Sequence, residues 1–144
     1  AKCTYKVNFI AQAPLILVCC ADLSSQDTKG QRVKELQESG AFAGTDLEKM
    51  SSKDYADKKP RDDAASLAYL NLNVAIAIEH MALRATDLGL GSCWVMLFSQ
   101  RRVKELLNLP DSLQVVALLP IGYPDQDPNP RPRQGLADIY LGEA

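Results

Sequence analysis

Residues 64–94 read AASLAYLNLNVAIAIEHMALRATDLGLGSCW. Apolar side chains recur there at the three- and four-residue spacing of an α-helix, and Gly89 is a typical helix stop. One predicted face consists of Leu70, Val74, Ala77, Ile78, Met81, Ala85 and Leu88. Much of the opposite side is apolar as well. We therefore predict a helix over residues 64–88 that is buried in a core or against a second subunit.

Strands are predicted on both sides of this helix. Residues 15–20 form a continuous apolar run after Pro14, a pattern typical of a central strand buried on both faces. Further strands are predicted over residues 92–98, 113–121 and 137–141, and Ser99 is the expected cap of a short helix. There is no internal repeat, so residues 1–144 are predicted to form one α/β or α+β domain.

Residues 22–63 depart from this pattern, because acidic and basic residues are mixed along them with scattered glycines. Residues 31–39 favour a short helix with Val33 and Leu36 facing inward. The simplest interpretation of this charged excursion is a solvated face. The alternative is a lid over an active site, since long segments of this kind often cover one.

The composition favours a soluble protein with 47% apolar residues and a formal charge of −2. That charge gives no general attraction to nucleic acid or to anionic membranes, so neither is expected as a partner. No uninterrupted apolar run is long enough to span a bilayer, and no signal peptide is recognisable. Cys3, Cys19, Cys20 and Cys93 are interpreted as reduced thiols of a cytoplasmic protein, mostly in the core.

The sequence lacks the common catalytic motifs, among them a dinucleotide-binding glycine motif, a P-loop and a nucleophile elbow. His80 is the only histidine, which leaves too few well-spaced ligands for a Cys/His metal site. Its position in an apolar helix favours a structural or interface role. Paired acids such as Asp62 and Asp63 are interpreted as solvated loop residues rather than as a hydrolytic pair.

Two segments suggest a ligand. Residues 89–94 (GLGSCW) lead from the helix into a strand, where glycines allow a tight turn or the close approach of a ligand. Residues 129–133 (NPRPR) hold two arginines on a backbone stiffened by proline, and such guanidinium groups suit a phosphate. Taken alone, the first is more simply interpreted as a plain turn and the second as a solvated loop.

Taken together and in order, these segments resemble the nitroreductase family of flavoproteins. The likeness runs through NVAIA at 73–77, LGLGSCW at 88–94, VKELLNLP at 103–110, IGYP at 121–124 and RPR at 131–133. It also includes Ala13-Pro14 with the strand that follows, and it leaves out most of residues 22–63. Members usually open with an Arg-Arg-Ser-x-Arg segment and an Asn-x-Gln-Pro-Trp-like segment. Neither is present, so we expect the C-terminal part of a longer product, or a shortened member.

The resemblance implies an α+β fold with a mixed β-sheet flanked by helices, assembled as an intertwined homodimer with FMN at the interface. It implies that Arg131 and Arg133 bind the FMN phosphate. It also implies that the flavin ring lies along the backbone of Gly91, Cys93, Trp94, Val95 and Met96. No side chain is expected to be catalytic and no metal is expected, because the flavin supplies the chemistry.

The first functional hypothesis is an FMN-dependent oxidoreductase. It would pass hydride from NAD(P)H through the flavin to a nitroaromatic, a quinone or a related small-molecule acceptor. The second is a flavin-binding or interaction protein without turnover. Dehalogenases and a flavin-destroying enzyme share the fold, and the sequence does not discriminate among these.

Overall fold

The computed structural model describes residues 2–5, 7–57 and 62–142. This part of the chain forms three β-strands and five α-helices, with short 3₁₀ helices at Asn8–Ala11 and Leu23–Gln26. The strands are β1 (Leu15–Asp22), β2 (Gly91–Ser92) and β3 (Leu113–Gly122). The helices are α1 (Lys29–Glu38), α2 (Ser52–Asp57), α3 (Asp63–Asp87), α4 (Gln100–Leu107) and α5 (Leu136–Ile139).

The sheet has the strand order β1-β3-β2, and both pairings are antiparallel. In the longer pairing, Leu15 lies opposite Ile121 and Asp22 opposite Leu113. The α+β class is therefore confirmed, but among the described strands the sheet is antiparallel rather than mixed. The central strand is β3, whose residues 117–120 are all buried.

Two hydrophobic clusters lie on opposite faces of β3. We call them the α3-side cluster, with Cys19, Ile78, Ala117 and Leu119, and the α4-side cluster, with Ile10, Val95, Val103, Val115 and Leu118. A β-bulge explains why β3 does not alternate strictly between them. Cys19 pairs with Ala117 and Cys20 with Val115, so Val116 is an extra residue that packs toward α3 beside Ala117.

Helix α3 begins and ends where its sequence provides caps. The Asp62 carboxylate accepts a hydrogen bond from the Ala65 N–H at 2.6 Å, which satisfies a free donor of the first turn. At the other end Gly89 has φ +74°, and the Leu90 N–H bonds back to the Ala85 carbonyl at 2.9 Å. This is a Schellman ending, which favours glycine. The helix predicted over residues 64–88 is thus confirmed.

Other predicted elements differ from the structure. The 15–20 run is a strand, but β1 lies at an edge of the described sheet with Leu15 and Ile16 exposed, so the prediction of a doubly buried central strand was wrong. Of residues 92–98, only Ser92 lies in a regular strand. Val95 and Phe98 form isolated bridges instead. The predicted strand over 137–141 is wrong, since Leu136–Ile139 is a helical turn. The charged excursion contains α1, close to its predicted bounds, and α2.

Candidate functional site

The segment after β2, residues 93–98, pairs with β3 through Cys93 and Val95 and with Thr4 through Phe98. The Cys93 N–H donates to the Pro120 carbonyl at 3.3 Å, and the Val95 N–H donates to the Leu118 carbonyl at 2.9 Å. These two amides therefore belong to the sheet. They are not available to a ligand, although the resemblance placed both residues in a flavin site.

The other edge of this segment carries the N–H groups of Trp94 and Met96, because successive N–H groups of an extended chain point to opposite edges. Neither N–H has an acceptor among the described residues. We call this the open edge. Unpaired backbone donors of this kind can bind the oxygens and ring nitrogens of a ligand, or a further strand.

The side chains of the segment alternate as its backbone does. Val95 is buried in the α4-side cluster, whereas Trp94 packs against the α3-side cluster. Met96 is 65% exposed, and Cys93 is exposed as well. A ligand at the open edge would thus meet one partly buried aromatic ring and one exposed, flexible thioether.

Gly91 lies next to the chain that leads to the two arginines. A Cβ added at Gly91 would lie 3.4 Å from Cβ of Pro124, which is an ordinary van der Waals contact. Gly91 also lacks the positive φ that Gly89 has. Of the two glycines in this turn, only Gly89 is therefore required by the backbone conformation.

Arg131 and Arg133 lie in an irregular stretch in which every residue from 123 to 142 is exposed. Within the described residues, no hydrogen bond or ion pair holds either guanidinium group. Both groups are thus available to an anion. Among the described residues, no hydrogen bond or ion pair joins them to residues 93–96, so the two predicted halves of the flavin site stay separate predictions.

A groove of about 450 Å³ lies between α3 and the sheet. It is lined by Asn71, Leu72 and Ala75 of α3, by Trp94, Met96 and Phe98, by Gln100, and by Gln114, Val115 and Val116 of β3. The lining is mainly apolar and aromatic with a few carboxamides, and it includes no charged side chain. Its volume lies within the range of small-molecule sites.

Two of the carboxamides that line this groove differ in their hydrogen bonding. Gln100 pairs with the backbone of Val115: its Nε2 donates to the carbonyl, and its Oε1 accepts from the N–H at 3.2 Å. Asn71 Oδ1 is buried and has no hydrogen-bond partner. Asn71 had not been identified from the sequence. The available signal was its helical spacing, because Asn71 precedes Val74 by three residues and Ile78 by seven and so lies on the same core-facing side of α3.

The outer face of α3 carries an apolar stripe with Tyr69, Ile76 and Leu83 seven residues apart and Leu72 between them. Their exposed fractions are 47%, 50%, 59% and 59% in that order. His80 is exposed beside this stripe. A contiguous apolar surface of this kind is typical of a contact with another molecule.

By length and composition alone, α3 could also cross a membrane. Because its few polar residues are spread along the helix, α3 contains no long uninterrupted apolar run. One such helix is weak evidence for a membrane span. The inner face of α3 does pack on the sheet through Ile78 and, toward its C-terminus, buries Ala85.

Residues 1–123 match the family model described as the nitroreductase family. The chain belongs to the nitroreductase family. A nitroreductase-family structure from Streptococcus pneumoniae covers 99% of the chain with a TM-score of 0.75 at 22% identity, and the chain covers 72% of it. A nitroreductase from Exiguobacterium sibiricum, solved in complex with FMN, covers 91% of the chain with a TM-score of 0.73 at 14% identity. At these identities the two structures establish the fold.

A curated relative with a more specific activity is the iodotyrosine deiodinase of Thermotoga neapolitana. It is 36% identical over 76 residues, which are 52% of this chain and 40% of that protein. The chain covers 63% of the Exiguobacterium protein. It therefore spans only part of the length of these nitroreductase-family relatives.

The cysteines of this nitroreductase-family chain are free thiols, three of them at least partly buried. Burial raises the pKa of Cys19, and the neighbouring Cys20 raises it further. Burial also raises the pKa of Cys20, against an opposing effect of Lys104. A raised pKa lowers the thiolate fraction, so Cys19 and Cys20 are poor nucleophiles at neutral pH.

No cluster of three or more metal-binding side chains occurs in the parts of the chain that the structure covers. Of the acids interpreted as loop residues, Asp62 is the N-cap of α3 and Asp63 its first residue. Asp62 thus has a structural role that its sequence position did not reveal.

Proposed function

We propose that this chain is an FMN-dependent oxidoreductase, or the part of one that holds the flavin ring and phosphate, and that it takes hydride from NAD(P)H. The observation that carries the proposal is the open edge of a nitroreductase-family fold, where Trp94 and Met96 present unpaired N–H donors. When bound, FMN would supply the ring that accepts and donates hydride.

The described residues provide part of a binding site for FMN. The Trp94 and Met96 N–H groups are suited to the oxygen and nitrogen atoms of the flavin pyrimidine ring. Donors placed there stabilise negative charge on a reduced ring. Gly91, Cys93 and Val95 would act through the path of the backbone, because the amides of the last two are bound to β3.

The phosphate would be bound by Arg131 and Arg133. Both guanidinium groups are exposed and hold no partner in the described chain. Charge-assisted hydrogen bonds from arginine to phosphate are about twice as strong as neutral ones. Both arginines are exposed, so binding would immobilise two long side chains, which lowers the net affinity.

We further propose a homodimer that buries the apolar stripe of α3. The stripe runs along a helix whose other face is occupied by the sheet, so a second copy of the chain is the simplest cover. The N–H donors of the open edge would then share the site with residues of the partner. A cytoplasmic location and a lid formed by residues 22–63 stay predictions.

A second candidate within the same chemistry is reductive dehalogenation. The likeness to iodotyrosine deiodinase favours it, at 36% identity over 76 residues. The choice between nitroaromatic, quinone and halogenated acceptors would be tested by turnover of each with the same flavin-loaded protein. A flavin-binding protein without turnover would reduce none of them.

The phosphate role has its own test in the binding of FMN and riboflavin, followed by flavin fluorescence. Arg133→Ala should weaken FMN binding about thirtyfold, which corresponds to about 2 kcal/mol for one charged phosphate contact. Riboflavin, which lacks the phosphate, should bind the variant and the unmodified chain almost equally. Arg101→Ala is the matched control, since Arg101 is an exposed arginine on α4 paired with Glu105. Equal losses for FMN and riboflavin would contradict the assignment.

A further inference from the structure

The groove between α3 and the sheet is suited to an aromatic molecule. Trp94 and Phe98 provide ring surfaces, and Leu72, Ala75 and Val116 provide aliphatic walls. Its volume of about 450 Å³ is ample for a substituted benzene ring. Apolar walls with a small number of polar atoms are typical of a site that selects a ligand by shape and by one or two hydrogen bonds.

Among the described residues, the buried side-chain polar atom of this groove that lacks a hydrogen-bond partner is Asn71 Oδ1. It is buried, and the described chain offers it no donor. Gln100, a second carboxamide of the groove, is held by Val115, whose carbonyl accepts from its Nε2 and whose N–H donates to its Oε1. A buried acceptor without a donor costs free energy, which a donor on a ligand would recover.

The charge of the groove restricts the ligand further. None of the lining side chains is charged. A carboxylate or an ammonium group would therefore gain no partner of opposite charge for whatever part of its hydration it lost on binding. A neutral ligand avoids this cost.

We propose that the groove takes a neutral phenol, with its ring against Trp94 and its hydroxyl donating a hydrogen bond to Asn71 Oδ1. Asn71 would then determine the acceptor class of the proposed oxidoreductase, and this assignment of a role rests on the proposed function. Trp94 and Met96 line the groove and also carry the N–H groups of the open edge. A phenol bound in the groove therefore lies beside the segment proposed to hold the flavin.

The fluorescence of Trp94 reports on this groove directly, because it is the only tryptophan in the chain. The chain is titrated with 4-chlorophenol, with 4-chloroanisole, whose methyl ether has no donor, and with 4-chlorobenzoate, which is charged. We expect saturable binding in which the phenol is favoured over the ether about tenfold, the effect of one net hydrogen bond. The benzoate should bind more weakly than either.

Asn71→Leu should abolish the preference of the phenol over the ether while leaving the binding of the ether unchanged. The matched control is Asn73→Leu. Asn73 is exposed two positions along α3, its Nδ2 donates to the Tyr69 carbonyl at 2.7 Å, and it does not line the groove. This control should keep the preference for the phenol. If Asn71→Leu does not fold, the three titrations of the unmodified chain still decide the matter.

Equal binding of phenol and ether by the unmodified chain, stronger binding of the ether, or no saturable binding would overturn the proposal. So would binding that weakens as the protein concentration rises, because a second copy of the chain would then occupy the groove. The titrations contain neither FMN nor NAD(P)H. Their failure would thus leave the flavin proposal standing, and the failure of FMN to bind would leave the phenol result standing.

Discussion

Gly122 and Gly91 lie opposite each other in the pairing of β3 with β2, yet the structure places different demands on them. A Cβ at Gly122 would lie 2.7 Å from Cδ of Pro14, at the entrance of β1. A Cβ at Gly91 would only touch Pro124 at 3.4 Å. The glycine of the IGYP motif thus allows two chain segments to pass closely, a role independent of any cofactor.

We expect Gly122→Ala to lower the free energy of unfolding by about 1–3 kcal/mol, because the Pro14 ring must move. Gly91→Ala, the matched control, should change it by less than about 0.5 kcal/mol. Urea denaturation followed by circular dichroism measures both. Equal stabilities of the two variants would show that the Pro14 contact is not restrictive.

The buried thiols predict a dependence of stability on pH. Burial raises the pKa of Cys19 and Cys20 above their ordinary value of 9.0. Above that pH the unfolded thiols lose protons that the folded ones keep, so this contribution is complete below pH 9 and stability falls as the pH rises further. The slope between about pH 8 and about pH 10 should be shallower in a Cys19→Ala, Cys20→Ala variant. An unchanged slope would contradict the shifts.

For single residues, the segment proposed to hold the flavin stays a prediction from the sequence, and the sequence did not show which of its backbone atoms are available. The amides of Cys93 and Val95 are bound by Pro120 and Leu118, more than twenty residues away. A pairing between distant segments cannot be read from local spacing. The unpaired oxygen of Asn71 depends in the same way on packing between α3 and β3.

Among the elements, α3 and the bounds of β1 and β3 were predicted well, whereas α2 was not predicted and the helical turn at Leu136–Ile139 was predicted as a strand. Helix α3 is determined by local features, namely its apolar spacing, the Asp62 cap and the Gly89 ending. The position of β1 depends on its partners instead. An apolar run is compatible with a central strand and equally with an edge strand whose outer side contacts another molecule. The exposed Leu15 and Ile16 are consistent with a contact of that kind.

The cap of α3 gives a prediction at the same scale. Asp62→Ala should lower the free energy of unfolding by about 1 kcal/mol, because it frees the Ala65 N–H and removes a negative charge near the helix N-terminus. Asp62→Asn keeps an oxygen acceptor and should be destabilised by much less. Thermal denaturation compares the two. An alanine variant as stable as the asparagine variant would argue against a capping role.

For the whole molecule, the outer face of α3 predicts self-association. Leu83→Asp should weaken a dimer by at least about a hundredfold, since an unpaired carboxylate would be buried at the contact. Leu106→Asp, at an exposed leucine on α4, is the matched control and should not. Light scattering at micromolar concentration measures the mass. A monodisperse monomer of normal helicity for the unmodified chain would contradict the dimer.

The same structure shows which residues are unsuitable for testing that contact. Ile78 is 0% exposed and lies in the α3-side cluster, and Met81 packs against that cluster. An aspartate at either position would disturb the core of one subunit rather than the contact between two. The helical pattern alone did not separate these two faces, because both are apolar.

The most direct test of the proposed FMN-dependent activity is an anaerobic absorption spectrum. The purified chain is mixed with excess FMN, freed of unbound flavin by gel filtration, and then treated with NADH or NADPH. If the chain is an FMN-dependent oxidoreductase, the visible flavin band stays with the protein and is bleached by one of the two nucleotides. A protein fraction without flavin, or a bound flavin that neither nucleotide bleaches, would contradict an FMN-dependent oxidoreductase.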